Sequence, residues 1–87
     1  MVLGVMKQIS STEDLDNYTD TGNFYYLAGT TNAPTTGMGF LEVLSFSGVR
    51  KMQRATSISS TTKNVYIRTI YSTSATWSDW VKVGGGS

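Results

Sequence analysis

The chain has 87 residues, with 7 basic and 6 acidic side chains, a formal net charge of +1, and neither cysteine nor histidine. This composition excludes disulfide scaffolds, zinc sites built from cysteine and histidine, thiol enzymes and Ser-His-Asp triads. No apolar run approaches the ~20 residues of a membrane-spanning helix. Serine and threonine form more than a quarter of the chain, but a hydrophobic content of 39% favours a folded domain over a disordered segment.

The length allows one small domain, which would bury only about 60% of its unfolded surface. With no disulfide to support so small a core, the size favours an oligomer in which one subunit completes another's core. We interpret residues 1–9 as an N-terminal strand or the entry of a stalk, residues 10–83 as the folded domain, and residues 84–87 as a flexible linker.

The order of turn signals and apolar runs predicts an all-β fold with one short helical turn. The helical turn follows Ser10-Ser-Thr12, because Ser or Thr before acidic residues is typical of an N-cap, and Leu15 and Tyr18 would enter the core from it. Turns are predicted at 47–48, 59–64 and 72–76. Strands are predicted at 23–27, 39–46, 49–58, 65–71 and 77–83. The result is a small antiparallel meander sheet of four or five strands, or a compact sandwich.

Alternation along the strands assigns side chains to the two faces of the sheet. Phe24 and Tyr26 point to one side of their strand, and Leu41 and Val43 point to the main core. The residues that alternate with Leu41 and Val43 would be partly exposed. The strand at 49–58 has no clearly apolar face, so we expect it to be exposed, with charges that discourage edge pairing.

Three patterns occur in a fixed order. The first runs from Asp14 to Gly22 and leads into Phe24-Tyr-Tyr26; the second is Asn32-Ala-Pro34 before the strand that begins at Gly39; the third is Val65-Tyr-Ile-Arg68, a Ser/Thr turn, and Trp77-Ser-Asp-Trp80. Over about residues 13 to 83 this order resembles the pyocin-knob-like domain of phage tail fibres and receptor-binding proteins. The chain differs from that family in the turn before Trp77, which usually contains glycine and here reads Ser72-Thr-Ser-Ala-Thr76.

The resemblance implies a knob-like β domain over residues 10–83 of a homotrimeric fibre on a virion, exposed outside the host cell after assembly. Such a fibre would attach to polysaccharide or protein of the bacterial surface. We expect no enzyme activity, no cofactor and no insertion into a membrane. We also expect no nucleic-acid partner, because the net charge is too small for a strong phosphate-binding surface.

Aromatic and basic residues of the strands and loops are the candidate ligand-binding groups. An exposed Trp77 would stack on a sugar ring, whereas Trp80, on the opposite side of the same strand, would be buried. Arg68 would stack on Tyr66 or Trp80, or pair with Glu42 or Asp79. The tentative set is Trp77, Tyr66, Arg68, Asn32, Arg50 and Arg54.

Each of these groups also has a purely structural interpretation, as part of the core or as a surface ion pair. The acidic residues at 13–20 are better explained as the cap of a helical turn than as a metal or glycosidase site. Two other functions therefore stay open. In the first, the domain is a structural trimerisation or connector module of a viral fibre. In the second, it is a targeting module of a cell-wall hydrolase.

Overall fold

The structure, a computed structural model, describes residues 6–58, 63–71, 73 and 75–83. It contains six strands and one 3-10 turn at Leu15–Asn17. The strands are β1 Lys7–Ile9, β2 Gly22–Tyr26, β3 Gly39–Ser47, β4 Arg50–Ile58, β5 Lys63–Ile70 and β6 Val81–Val83. Residues 1–5 of the segment predicted as an N-terminal strand or stalk entry (1–9), the linker at 84–87 and most of the turn at 59–64 lie outside the described residues.

The six strands form one sheet in sequence order. The all-β prediction is confirmed, and of the two predicted architectures the structure has the single sheet. Four of the five strand pairs are antiparallel, but β1 pairs with β2 in parallel, with Ile9 opposite Tyr26. The predicted antiparallel meander corresponds to β2–β6 and is confirmed, and β1 adds a sixth strand in parallel at its edge. A parallel pair needs a crossover, and residues 10–21 form it, since this segment crosses one face of the sheet.

One face of the sheet is covered and the other is open. On the covered face lies the core cluster: Ile9, Leu15, Tyr26, Leu41, Val43 and Ala55. Tyr18 and Phe24 pack against it, with their ring centroids 4.9 Å apart. The core roles predicted for Leu15, Tyr18, Leu41 and Val43 are thus confirmed.

Two connections between strands form the layer that lies over the covered face of the sheet. The β1–β2 connection and the loop between β2 and β3 are held together by a short parallel bridge between Asp14 and Thr31. The amide of Leu15 donates to the carbonyl of Thr31 at 3.1 Å. The cap of the 3-10 turn is Asp14, whose carboxylate accepts from the amide of Asp16, rather than the Ser/Thr run before it. No helix among the described residues is long and apolar enough to span a membrane.

Strand β4 differs most from expectation. It lies in the middle of the sheet between β3 and β5, and its alternate residues Gln53, Ala55 and Ser57 are buried. The predicted exposed strand was wrong because the polar Gln53 is buried with its hydrogen bonds satisfied, as described below.

Two tyrosines, Tyr26 buried in the core and Tyr18 partly buried against it, make the stability of the fold depend on pH in the alkaline range. Burial, together with the bond that the hydroxyl of Tyr18 donates to Glu13, raises the pKa of Tyr18 to about 12. Burial, and to a smaller extent the nearby Tyr66, raises the pKa of Tyr26 to about 12. In the unfolded chain both hydroxyls would ionise at about pH 10, the ordinary pKa of a free tyrosine. Between these values the folded state holds more protons than the unfolded state, so stability falls as the pH rises.

We therefore expect the free energy of unfolding contributed by these two hydroxyls to be fully present below about pH 10 and lost by about pH 12. Urea unfolding followed by tryptophan fluorescence across this range measures the decrease. Tyr18→Phe and Tyr26→Phe should each make the decrease shallower, whereas Tyr71→Phe, at a residue that is 75% exposed, should not. An identical alkaline decrease in all four proteins would contradict this assignment.

Candidate functional site

Arg68 is the centre of the candidate site. It lies in β5 on the covered face, opposite Gln53 of β4, and is only 5% exposed. Its Nε donates to Oε1 of Gln53 at 2.8 Å, and its Nη1 pairs with Oδ1 of Asp16 at 2.8 Å. Burial lowers the pKa of Arg68, and the adjacent Asp16 carboxylate opposes this effect because it favours the charged guanidinium.

Gln53 connects this guanidinium to the 3-10 turn. Its Nε2 donates to the carbonyl of Leu15 at 2.7 Å and to the carbonyl of Tyr18 at 2.9 Å. The carbonyl of Leu15, at the start of the turn, also accepts from the amide of Tyr18 at 3.1 Å, whereas the carbonyl of Tyr18 lies just after the turn. Gln53 is thus buried at little cost, because its amide and its side-chain oxygen all have partners.

Both tryptophans stack on the same guanidinium. The Arg68 Cζ lies 4.8 Å from the ring centroid of Trp77 and 4.6 Å from that of Trp80. Each indole also donates a hydrogen bond, from Trp77 Nε1 to the carbonyl of Asp16 at 3.3 Å and from Trp80 Nε1 to the carbonyl of Asn32 at 2.8 Å. We call Arg68, Gln53, Asp16, Trp77 and Trp80 the tryptophan–arginine cluster.

The tryptophans do not lie on opposite sides of a strand, so that prediction was wrong. Strand β6 begins only at Val81, and residues 75–80 have no regular strand structure. Ala75 has a φ of 55°, in the left-handed region that glycine usually occupies, and this residue directs the chain back over the covered face. Both indoles are half-buried. Trp80 does pack against the core, as expected, but it is not completely enclosed.

Asn32 joins the loop after β2 to this cluster. Its φ of 62° is one that asparagine tolerates better than most residues. Its side-chain Nδ2 donates to Oδ1 of Asp14 at 2.8 Å, and its carbonyl accepts the bond from Trp80. The three sequence motifs therefore meet at one place, through Asp14 and Asp16, through Asn32, and through Arg68 with the tryptophans.

A cleft of about 330 Å³ opens beside the cluster. Polar groups dominate its lining, which consists of Asp16, Asn32, Ala33, Arg68, Thr76, Trp77, Ser78, Asp79 and Trp80. Although Arg68 is buried, its Nη2 has no hydrogen-bond partner within the described part of the chain. The cleft thus combines two indole rings, carboxylates, an amide and one buried donor.

Three of the six candidate residues meet at this cleft, namely Trp77, Arg68 and Asn32, and the other three lie elsewhere. The guanidinium of Arg50, at the start of β4, stacks on Tyr71, with its Cζ 4.2 Å from the ring centroid. Arg54 pairs with Glu42 on the open face, its Nε 2.6 Å from the carboxylate. Tyr66 is on the covered face, opposite Ala55, but does not line the cleft. Arg68 takes Asp16 as its ion-pair partner and stacks on both tryptophans rather than on one.

Sequence reasoning did not include Gln53 or the two aspartates of the turn in the site. The sequence contains little signal for Gln53, because its neighbours on the same side of β4 are Lys51 and Ala55 and do not mark that side as the core. The aspartates were interpreted only as capping groups. Within the described ranges, no group of three or more carboxylates is placed to hold a metal ion.

Comparison with known proteins supports a phage origin. A scan against protein-family models matched residues 4–83 to the model described as XkdV N-terminal domain. No curated protein and no solved structure matched the chain. The motif resemblance is thereby supported at the level of phage structural proteins, but not for the pyocin-knob-like group in particular. Because the match covers nearly the whole chain, the protein belongs to the XkdV N-terminal domain family, a phage-associated family of structural proteins.

Proposed function

We propose that this chain is a non-catalytic domain of a phage tail fibre or receptor-binding protein, and that it contributes to attachment by binding glycan of the bacterial envelope. The observation that supports this function is the cleft beside the tryptophan–arginine cluster, with its two half-buried indoles and its polar lining. In the assembled particle the domain would be part of a homotrimer, exposed outside the host cell.

The chemistry of the cleft suits a sugar. An indole offers a large apolar face to the C–H groups of a sugar ring, and carboxylates and amides bond its hydroxyl groups. Arg68 stacks on both rings and fixes their positions, so a ligand would meet a preformed surface.

The charges favour a neutral sugar over an anionic polymer. Asp16 and Asp79 both line the cleft, and Arg68 supplies the one positive charge there. A polyanion would therefore meet a net negative surface. The basic side chains of Arg50 and Arg54, which were candidates for an anionic ligand, are engaged away from the cleft with Tyr71 and Glu42.

A glycan array probed with the purified chain, followed by titration of the bound glycan and of host envelopes, tests this function. Asp79→Ala removes an exposed carboxylate of the cleft that is not part of the cluster. It should weaken binding roughly tenfold, the effect of losing one charge-assisted hydrogen bond. Asp20→Ala, at an exposed aspartate outside the cleft, is the matched control and should leave binding unchanged. Failure to bind any glycan or any susceptible envelope would overturn the proposal.

A second candidate function is a structural module that assembles or connects segments of the particle. The open face of the sheet favours it, because large apolar residues remain exposed there. The two functions use opposite faces, so one domain can perform both. Sedimentation tests the second function, since a chain that is strictly monomeric at micromolar concentration would not support assembly.

A further inference from the structure

The open face is the largest feature of the molecule that the glycan cleft does not use. Two rows of residues cross it, each running from strand to strand in hydrogen-bonding register. The first row consists of Gln8, Tyr25, Phe40, Thr56, Val65 and Val83. The second consists of Asn23, Glu42, Arg54, Ile67 and Val81. A third row begins with Leu44, Met52 and Thr69. No segment of the described chain packs over these rows.

Several apolar residues of the open face are exposed to solvent, unlike those of the covered face. Phe40 is 42% exposed, Leu44 54% and Val81 64%, whereas Leu41 and Val43 of the covered face are 0% and 1% exposed. At the hairpin end the face continues into an apolar groove of about 530 Å³, whose lining includes Leu44 and Met52. Contiguous exposed patches of this kind indicate an interaction surface.

The charges of the face are compatible with a surface that packs on a copy of itself. Its centre contains one carboxylate and one guanidinium, Glu42 and Arg54, which lie opposite each other and form an ion pair. The centre is therefore neutral, and a second copy would bring no unbalanced charge against it. A basic or acidic partner would gain little there, because both charges at the centre are already paired with each other.

The size of the face matches a stable interface. Strands β3 and β4 have nine residues each, which corresponds to about 30 Å, and five strand spacings give a width of about 24 Å. Because β1, β2 and β6 are shorter than β3 and β4, the face has an area on the order of 600 Å², at the lower end of the roughly 600–1,000 Å² per partner of a standard interface. The edges offer much less, because β1 and β6 have three residues each.

We infer that copies of this chain pack on one another through the open face, so that a second copy completes the missing layer of the sheet. A single sheet covered on one side leaves a small domain with half of a core, and a second apolar face supplies the other half. This inference assigns the open face as the surface through which the second candidate function, assembly of the particle, would operate. It does not depend on the glycan cleft, which lies on the opposite side.

Analytical ultracentrifugation of the whole chain, from low to high micromolar concentration, tests the inference. The wild-type chain should sediment as an oligomer whose mass gives the number of copies. Leu44→Lys and Val81→Lys, on different strands of the face, should each weaken association about tenfold or more, because each buries a charge in the contact. Both residues are exposed in the single chain, so circular dichroism should show an unchanged fold.

Ala28→Lys is the matched control, since it places the same charge at an exposed position of the loop that covers the other face. It should leave the oligomer unchanged. A wild-type chain that stays monomeric at high micromolar concentration would overturn the inference and assign the face to another protein of the particle. An oligomer that both open-face substitutions leave intact would also overturn it. Neither result would bear on glycan binding, which the Asp79→Ala comparison tests separately.

Discussion

Replacing Arg68 by methionine is expected to lower the free energy of unfolding by roughly 2–4 kcal/mol. The ion pair with Asp16 contributes little of this, because the Asp16 side chain is 45% exposed and can be solvated when its partner is lost. Most of the loss comes from Oε1 of Gln53, which would be left buried without a donor, and from the two indoles, which would lose the guanidinium on which they stack. Methionine retains the apolar volume, so a cavity is not the main cause.

Denaturant unfolding of the variant and the wild type at one protein concentration measures the difference. Arg50→Met is the matched control, because Arg50 also stacks on an aromatic ring, but on one that is 75% exposed. It should lower stability by only about 0.5–1 kcal/mol. Since small domains have total stabilities of roughly 5–15 kcal/mol, the Arg68 loss is a large fraction of the whole. Equal effects of the two substitutions would show that the cluster does not hold the fold together.

The fold was largely predictable where large apolar residues alternate with others. In β3, Leu41 and Val43 point to the core while Phe40 and Leu44 point outward, as alternation predicts. In β4 the rule failed because it counts Gln53 as polar and therefore as exposed. The carbonyls that satisfy Gln53 belong to residues 35 and 38 positions away in the chain, and no local pattern contains them.

The site was predictable in its residue types but not in its geometry. Arg68, Trp77 and Asn32 were all candidates, and the structure brings them to one cleft. The relative positions of the tryptophans were wrong, because alternation applies only within a strand and β6 starts after Trp80. The backbone at Ala75 explains the difference. Ala75 takes the left-handed conformation that glycine adopts most readily, and this turn precedes both tryptophans.

At Gly39 even the addition of one methyl group should lower the stability of the fold substantially. It lies at the start of β3, between Tyr26 of β2 and Ser57 of β4. A Cβ at Gly39 would come within 2.5 Å of the carbonyl oxygen of Thr56 and 2.7 Å of Tyr26 Cζ. Both neighbours are fixed, one as sheet backbone and the other as a completely buried ring, so neither can move aside cheaply. We expect Gly39→Ala to lower the free energy of unfolding by roughly 2–3 kcal/mol, at the upper end of the range for overpacking.

Gly48→Ala is the control for this prediction, because a Cβ at Gly48 meets no atom within 4 Å. It makes the same chemical change in the hairpin turn between β3 and β4, and there it should leave stability unchanged or raise it by up to about 1 kcal/mol, since alanine restricts the unfolded chain more than glycine does. Thermal and urea unfolding of the two variants separate the cost of close approach from the general effect of removing a glycine. If Gly39→Ala were as stable as Gly48→Ala, the sheet would have to open at β3 to admit the methyl group, and the tight packing of Tyr26 over Gly39 would not be a feature of the folded protein.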